Sequence, residues 1–384
     1  MARSKDVVAN VNNFKEKHGI KGIIFALVIV ALVLVGLFFY LNRGYGGYKV
    51  LNSNTTGAGA TARYMPYKGK VLRYSNDGIT CLNDNYETTW SFGYSMQNPM
   101  VDICGDYIAL GDLHGEEVIL FDSKGLVKKI PVTYMLEDFR VSAKGGIFTV
   151  LADSDRKYLK YYDKDGEVVA DGMVQPGKTG YPLSFDLSED GRLVVMSYLF
   201  VGNGVIKTNI AFYNFDSAGE TATDRIVSSY EYKDEVIPDV RFFGSDSVVA
   251  VGDKEAYVYV GKDKPALQKT LEYPGQPESL FFGDGKFGMI YSVEGEERTY
   301  KAEVYKPNGS RLSAFNVEML FDKVCFSGDN ILGYNDEECR LYALSGNVRF
   351  NYAFESRVTS ITPINGRDRF VLVTNEAESV ISLN

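Results

Sequence analysis

The sequence contains few of the residues that most often carry enzyme chemistry. Its 384 residues include two histidines, one tryptophan and four cysteines. No C-x-x-C or mixed Cys/His spacing predicts a zinc site, and neither H-E-x-x-H nor G-x-S-x-G occurs. We therefore assign no catalytic, cofactor-binding or metal-binding residues and expect no cofactor.

Long uncharged runs are also missing, with one exception. Residues 23–41 form a run of 19 residues without a charge, which at 1.5 Å per residue spans roughly 28 Å. This run predicts a single transmembrane helix in contact with the lipid bilayer. A buried core helix and a cleaved signal peptide are the alternatives, but residues 38–43 (FFYLNR) lack the small residues of a cleavage site.

Charge differs on the two sides of this run. Residues 1–22 hold five basic and two acidic residues, which predicts a basic cytoplasmic tail. The remainder holds 41 − 5 = 36 basic and 50 − 2 = 48 acidic residues, and this acidic excess disfavours nucleic acid. Residues 42–61 are rich in Gly, Ser, Thr and Asn, so they predict a flexible linker before an extracytoplasmic domain of residues 62–384.

A short motif recurs through that domain. The pattern FDSKG begins at Phe121, and related patterns occupy residues 162–166, 215–219, 305–309 and 342–346, with weaker copies at 82–86 and 259–263. An apolar run precedes each copy, and Asp, Asn and Gly suit the tight turn of a hairpin. The copies recur every 37–53 residues, a spacing typical of propeller blades. The sequence thus predicts an all-β fold, an eight-bladed β-propeller after the transmembrane helix.

The end of the sequence leaves the closure of the ring open. Residues 380–384 begin an eighth copy of the pattern and the chain then stops, so a seven-bladed ring is the alternative. An eighth blade needs a fourth strand from elsewhere, because an open edge would expose unpaired backbone groups. Residues 48–52 and residues 63–67 are both candidates, and a three-stranded last blade is a third possibility.

Three groups of residues are candidates for chemistry or cross-linking. Residues 162–167 (YDKDGE) resemble a calcium loop, but only two carboxylates precede the glycine, so a hairpin turn is the better interpretation. His114 is the one histidine after residue 41, and we expect a solvated loop residue rather than a catalytic base. Cys325 and Cys339 are predicted on the first and third strands of one blade, too far apart for a disulfide, and the pairing of Cys81 with Cys104 stays open.

Several segments resemble a known family. Residues 71–78 (VLRYSNDG), 95–99 (SMQNP), 212–215 (FYNF), 224–227 (DRIV) and 236–238 (VIP) are similar to an uncharacterised, domain-of-unknown-function family of single-pass, membrane-anchored β-propeller proteins of Gram-positive bacteria. More distantly, the repeats resemble those of WD-repeat and quinoprotein-like propellers. The resemblance implies an architecture and carries no activity.

These observations predict a binding protein at the cell membrane. We expect a single-pass protein with a cytoplasmic N-terminus, whose propeller is a scaffold for an envelope protein or a wall glycan. An envelope enzyme with a glycan- or quinone-directed site in the central channel is one alternative. A sensor that signals through the helix is another.

Overall fold

The computed structural model describes residues 22, 24–33, 36, 43–54, 62–154, 156–202, 204–293, 299–364 and 368–384. The chain divides into two units after Gly46. In the first unit, residues 22, 24–33 and 36 are helical. Within the described ranges, no helix has both the length and the apolar character that crossing a membrane requires. The predicted tail at 1–21, residues 23, 34–35 and 37–41 of the predicted span, and linker residues 42 and 55–61 lie outside the described residues.

The second unit, Gly47–Asn384, is an eight-bladed β-propeller, as predicted. Its described strands form eight four-stranded antiparallel sheets, and each sheet is one blade. Blades 1 to 4 consist of β2 Arg63–Tyr67, β3 Lys70–Tyr74, β4 Gly78–Leu82, β5 Thr88–Gly93; β6 Pro99–Cys104, β7 Tyr107–Asp112, β8 Glu117–Asp122, β9 Gly125–Pro131; β10 Met135–Val141, β11 Ile147–Asp153, β12 Arg156–Tyr162, β13 Val168–Val174; and β14 Tyr181–Leu187, β15 Leu193–Gly202, β16 Val205–Asn214, β17 Ile226–Lys233.

The other four blades follow in chain order, except for one strand. Blades 5 to 8 consist of β18 Asp239–Phe243, β19 Ser247–Val251, β20 Glu255–Val260, β21 Ala266–Glu272; β22 Pro277–Gly283, β23 Lys286–Ser292, β24 Tyr300–Tyr305, β25 Arg311–Val317; β26 Lys323–Ser327, β27 Asn330–Tyr334, β28 Glu338–Ala343, β29 Val348–Ala353; and β30 Val358–Pro363, β31 Arg369–Thr374, β32 Glu378–Leu383 with β1 Tyr48–Asn54. Two single helical turns, Pro176–Thr179 and Ser217–Glu220, lie beside blade 4.

Strand β1 closes the ring. It pairs antiparallel with β32, from Tyr48 opposite Leu383 to Asn54 opposite Glu378. Of the three closures that the sequence left open, the structure has the first, while Arg63–Tyr67 begins blade 1 instead. Tyr48–Asn54 therefore belongs to the propeller, although its Asn- and Ser-containing sequence predicted part of a linker.

The hydrophobic core lies between blades rather than inside one layer. Each blade presents apolar side chains to both neighbours because alternate residues of a strand point to opposite faces. Val118 and Leu120 of β8 pack toward blade 3, whereas Ile119 and Phe121 pack toward blade 1. At the closure, Val71 of blade 1 packs in a cluster with apolar residues of blade 8. Most strand positions that face a neighbouring blade therefore need a large side chain to fill the interface between the two blades.

The two faces of the ring can be told apart by the strand connections. Tyr48 lies opposite Leu383, and Ser382 lies opposite Arg369 at the start of β31, so Tyr48 is on the face that carries the β30–β31 connection. The connection between the second and third strands lies at the other end of each blade. We call these the Tyr48 face and the hairpin face, the second after the long β15–β16 hairpin of blade 4.

Candidate functional site

The candidates from the sequence lie in ordinary turns. His114 is an exposed residue of the β7–β8 connection, with φ +65°, and its backbone N–H donates to the Leu136 carbonyl at 2.7 Å. Asp163 Oδ1 accepts the backbone N–H groups of Asp165 and Glu167, both at 2.9 Å. The predicted hairpin turn is confirmed, because this carboxylate is used by the turn itself. Over the described ranges, no group of three His, Cys, Asp or Glu side chains could hold a metal ion.

All four cysteines are free thiols. Cys325 and Cys339 lie on the first and third strands of blade 7, as predicted, and Cys81 and Cys104 lie on different blades. Burial raises the pKa of the thiols of Cys104, Cys325 and Cys339 to about 12. These three thiols are therefore protonated and poorly nucleophilic at neutral pH.

A charged cluster lines one side of the central channel. The first strands of neighbouring blades contact one another around the ring centre, as β14 and β18 do. On blades 2 to 5 these strands carry the side chains of the cluster: Asp102, Asp138, Arg140, Asp186, Asp239 and Arg241. We call this set the channel cluster.

The carboxylates of the channel cluster bind across blade boundaries. Asp102 Oδ2 accepts the Val141 N–H of the next blade at 2.7 Å, and Asp186 Oδ2 accepts the Phe242 N–H of its next blade at 2.7 Å. Arg140 lies 2.8 Å from Asp138 and 3.7 Å from Asp186, measured between nitrogen and carboxylate oxygen. The channel cluster thus joins four consecutive blades. Its charged groups bind one another and the backbone, which is a structural role, in the channel where the enzyme alternative would have its active site.

A large cleft lies elsewhere, between the outer halves of blades 3 and 4. Its volume is about 890 Å³, within the range of small-ligand sites. Its lining comes from β11, β12 and β13 of blade 3 on one side, and from β15, β16, β17 and residues 215–225 of blade 4 on the other. Aromatic side chains of the cleft include Phe200, Tyr213 and Phe215, and polar ones include Asn209.

Blade 4 also carries an exposed apolar surface on the hairpin face. Strands β15 and β16 have ten residues each, against five to eight in the other described strands. Tyr181 lies opposite Leu199, and Val201 lies opposite Ile206, so these four side chains share one face of the blade. Tyr181 is 62% exposed and Val201 is 66% exposed. We call these four residues the blade-4 patch.

Neither the cleft nor the patch was found from the sequence. The one available signal for the patch was the length of the apolar run before and after Gly202. The cleft is open because Gly172 has no side chain to fill it. This becomes visible only when the equivalent positions in the outer strands of all blades are compared.

Solved structures of low identity share this fold. BamB from Moraxella catarrhalis is 12% identical with a TM-score of 0.52, and the match covers 88% of this chain and 100% of that chain. A eukaryotic initiation factor is 12% identical with a TM-score of 0.53, and the match covers 84% of each chain. At this identity the similarity shows the fold alone. No curated protein matches the sequence.

The sequence resemblance to a propeller family without a known activity is confirmed at the level of the family. Residues 41–383 match a family of unknown function, DUF5711. This match covers almost all of the propeller, including the closing strand β1. The chain therefore belongs to the DUF5711 family.

Proposed function

We propose that this protein is a membrane-anchored, extracytoplasmic propeller that binds a protein partner through the blade-4 patch. The patch is the observation that carries the proposal. A propeller supplies a rigid ring, and its connecting hairpins are where such a scaffold carries binding residues. Among the described strands, β15 and β16 are the longest.

The membrane part of the proposal rests on sequence. The uncharged run at 23–41 follows a basic tail, and only residues 42–47 separate it from β1. Six residues reach at most about 20 Å, so the anchor joins the propeller by a much shorter tether than the predicted linker of 42–61.

The exposure of the patch supports a protein partner. Val201 and Ile206 are 66% and 43% exposed, at the tip of a hairpin that extends beyond the neighbouring strands. Clustered apolar residues on a rigid protrusion are typical of the centre of a protein interface.

A crosslinking pull-down tests this proposal. The full-length protein is purified from its native membrane after crosslinking, together with the double variant Val201→Ser/Ile206→Ser. A matched control is Leu126→Ser/Val348→Ser, since these two apolar residues are 48% and 46% exposed on other blades. We expect one or more envelope proteins to be retained by the wild type and the control and lost from the patch variant. Equal recovery from all three would overturn the proposal.

A further inference from the structure

One position of the outer strand differs in blade 3 from the other blades that share its register. In blades 1 to 7 the outer strand pairs with the third strand through a bulge at the same place. In blade 3, for example, Ala170 of the outer strand pairs with Tyr161 beside the bulge, and Gly172 lies two residues further along the outer strand. The same position in blades 1 to 7 holds, in order, Phe92, Ile130, Gly172, Tyr230, Leu271, Phe315 and Tyr352. In blade 8 the equivalent position of β1 is Asn54. Blade 3 therefore has no side chain where six other blades have a large apolar one.

In the other blades this side chain packs on an aromatic ring of the next blade. Phe92 contacts Phe121 with ring centroids 5.3 Å apart, and Phe315 contacts Tyr342 at 5.6 Å. The corresponding residue of blade 4, directly after the bulge, is Tyr213. A Cβ atom built on Gly172 would meet no heavy atom within 4 Å. Gly172 thus leaves the Tyr213 side of the interface open, and the 890 Å³ cleft occupies that place.

The wall of blade 4 that faces this space has polar side chains, such as Asn209 and Ser229, beside its aromatic ones. Asn209 Oδ1 accepts the Ser229 hydroxyl at 2.8 Å, which leaves the amide hydrogens of Asn209 as donors. The hydroxyls of Tyr198 and Tyr213 are 2.7 Å apart at the inner end of the cleft. Burial raises the pKa of both tyrosines, so both hydroxyls stay protonated. The cleft therefore combines an aromatic ring with several fixed hydrogen-bonding groups.

The charges of the lining select against anions. The described lining contains four carboxylates, Asp171, Glu220, Asp224 and Glu231, and the cations Lys207 and Arg225. Lys207 binds Glu231 at 2.7 Å, and the guanidinium of Arg225 lies 6.0 Å from the centre of the Phe215 ring. Both cations already have a partner and carboxylates are in excess. The lining therefore disfavours an anionic ligand.

We propose that the cleft between blades 3 and 4 binds a short neutral oligosaccharide. A pyranose ring has an apolar face that can stack on Tyr213 in the space that Gly172 leaves, and its hydroxyl groups can bind Asn209 and the carboxylates. This inference goes beyond the proposed function and does not depend on it, because the cleft and the blade-4 patch are separate surfaces. The sugar would be bound, with no bond made or broken.

The test uses a variant that fills the cleft as the other blades do. Gly172→Phe supplies the side chain found in blades 1 and 6. A matched control is Gly93→Phe, at an open position of the outer strand of blade 1, where the nearest atom to a built Cβ is the Asp77 carbonyl oxygen at 4.0 Å. Full-length wild type and both variants are titrated by calorimetry with chitotriose, cellotriose, maltotriose and xylotriose, and with an acidic trigalacturonate for comparison. Thermal unfolding is measured in parallel.

We expect at least one neutral trisaccharide to bind the wild type and the Gly93→Phe control saturably, with a Kd of ~1 mM or lower. Gly172→Phe should weaken this binding at least about tenfold while leaving the Tm unchanged or raised, because it completes an interface. Binding that survives in Gly172→Phe, binding of the acidic trisaccharide alone, or no saturable binding of any neutral trisaccharide would overturn the inference. The result of the pull-down with the blade-4 patch does not change how these sugar titrations are interpreted.

Discussion

Tyr48, in the first strand of the propeller, lies directly opposite Leu383, in its last strand. This pairing joins two residues that are 383 − 48 = 335 positions apart in the chain. The ring is therefore closed by its own N-terminal strand, and only residues 42–47 separate this strand in the sequence from the predicted membrane anchor. The closure also removes the unpaired edge that β32 would otherwise expose.

The Tyr48 side chain should contribute measurably to this closure. Its ring contacts Tyr352 of blade 7 edge to face at 5.0 Å, and Phe354 at 6.1 Å. We expect Tyr48→Ala to lower the free energy of unfolding by about 1–3 kcal/mol, since it removes a half-buried aromatic side chain and its ring contacts. Leu51→Ala, on the same strand but 51% exposed, should cost less than ~1 kcal/mol. Urea unfolding measures the loss of stability in both variants. Equal losses would contradict a specific contribution of the Tyr48 ring contacts to the closure.

A second contact of the closure joins blades 1 and 8 by charge. Arg73 of β3 lies 3.2 Å from Glu378 of β32, whose side chain is 3% exposed, and the Arg73 Nε–H also donates to the Tyr64 hydroxyl at 3.2 Å. Removing one partner leaves the other charge poorly solvated. We expect Arg73→Met and Glu378→Met each to destabilise the protein by about 2–4 kcal/mol. The double variant should be no less stable than the worse single one.

This double-mutant cycle separates a paired charge from simple packing. If the two single losses add in the double variant, the residues act independently and the ion pair is not what joins the blades. A coupling free energy of ~1 kcal/mol or more would confirm the pair.

Stability should also respond to pH through the channel cluster. Burial raises the pKa of Asp186 to about 6, against the opposing effects of Arg140, Arg241 and the Phe242 N–H. In the unfolded chain an aspartate has a pKa of about 3.9. Between pH 4 and pH 6 the unfolded state loses this proton first, so the folded state loses stability as the pH rises, by up to about 3 kcal/mol in total.

The variant Asp186→Asn tests this sign. Its amide oxygen can still accept the Phe242 N–H, but it does not titrate. We expect the stability of the wild type relative to Asp186→Asn to fall from pH 4 to pH 7, as measured by urea unfolding at each pH. The exposed Asp165→Asn should follow the wild type. Parallel curves for wild type and Asp186→Asn would mean that Asp186 titrates normally, despite the nearby carboxylate of Asp102.

Much of the propeller could be predicted because local signals repeat. The motifs at 121–125 and 342–346 each join the third and fourth strands of one blade, β8 to β9 and β28 to β29, as the hairpin prediction requires. The turn glycines of four motif copies, Gly125, Gly166, Gly309 and Gly346, have positive φ as the hairpin prediction requires. The prediction is wrong for the copy at 215–219, where Gly219 belongs to the helical turn Ser217–Glu220. Hairpin turns are determined by a few neighbouring residues, so they can be recognised directly in the sequence.

The rest depends on contacts between distant residues. Tyr48–Asn54 becomes a strand because β32 offers an unpaired edge, not because of its own composition. Arg140 and Asp186 meet only after blades 3 and 4 stack, and no local pattern indicates that they will. The cleft follows from the absence of a side chain at Gly172, and such an absence can be seen only when all blades are in register.

The proposed function requires the propeller to lie outside the cytoplasm. Single-cysteine labelling of intact cells with a membrane-impermeant maleimide tests it directly. The probe sites are Val201→Cys in the blade-4 patch and Ala2→Cys in the predicted cytoplasmic tail, in a protein whose four native cysteines are replaced by Ser or Ala. The account predicts that position 201 is labelled in intact cells and that position 2 is labelled only after lysis. Labelling of position 2 in intact cells, or of position 201 only after lysis, would contradict it.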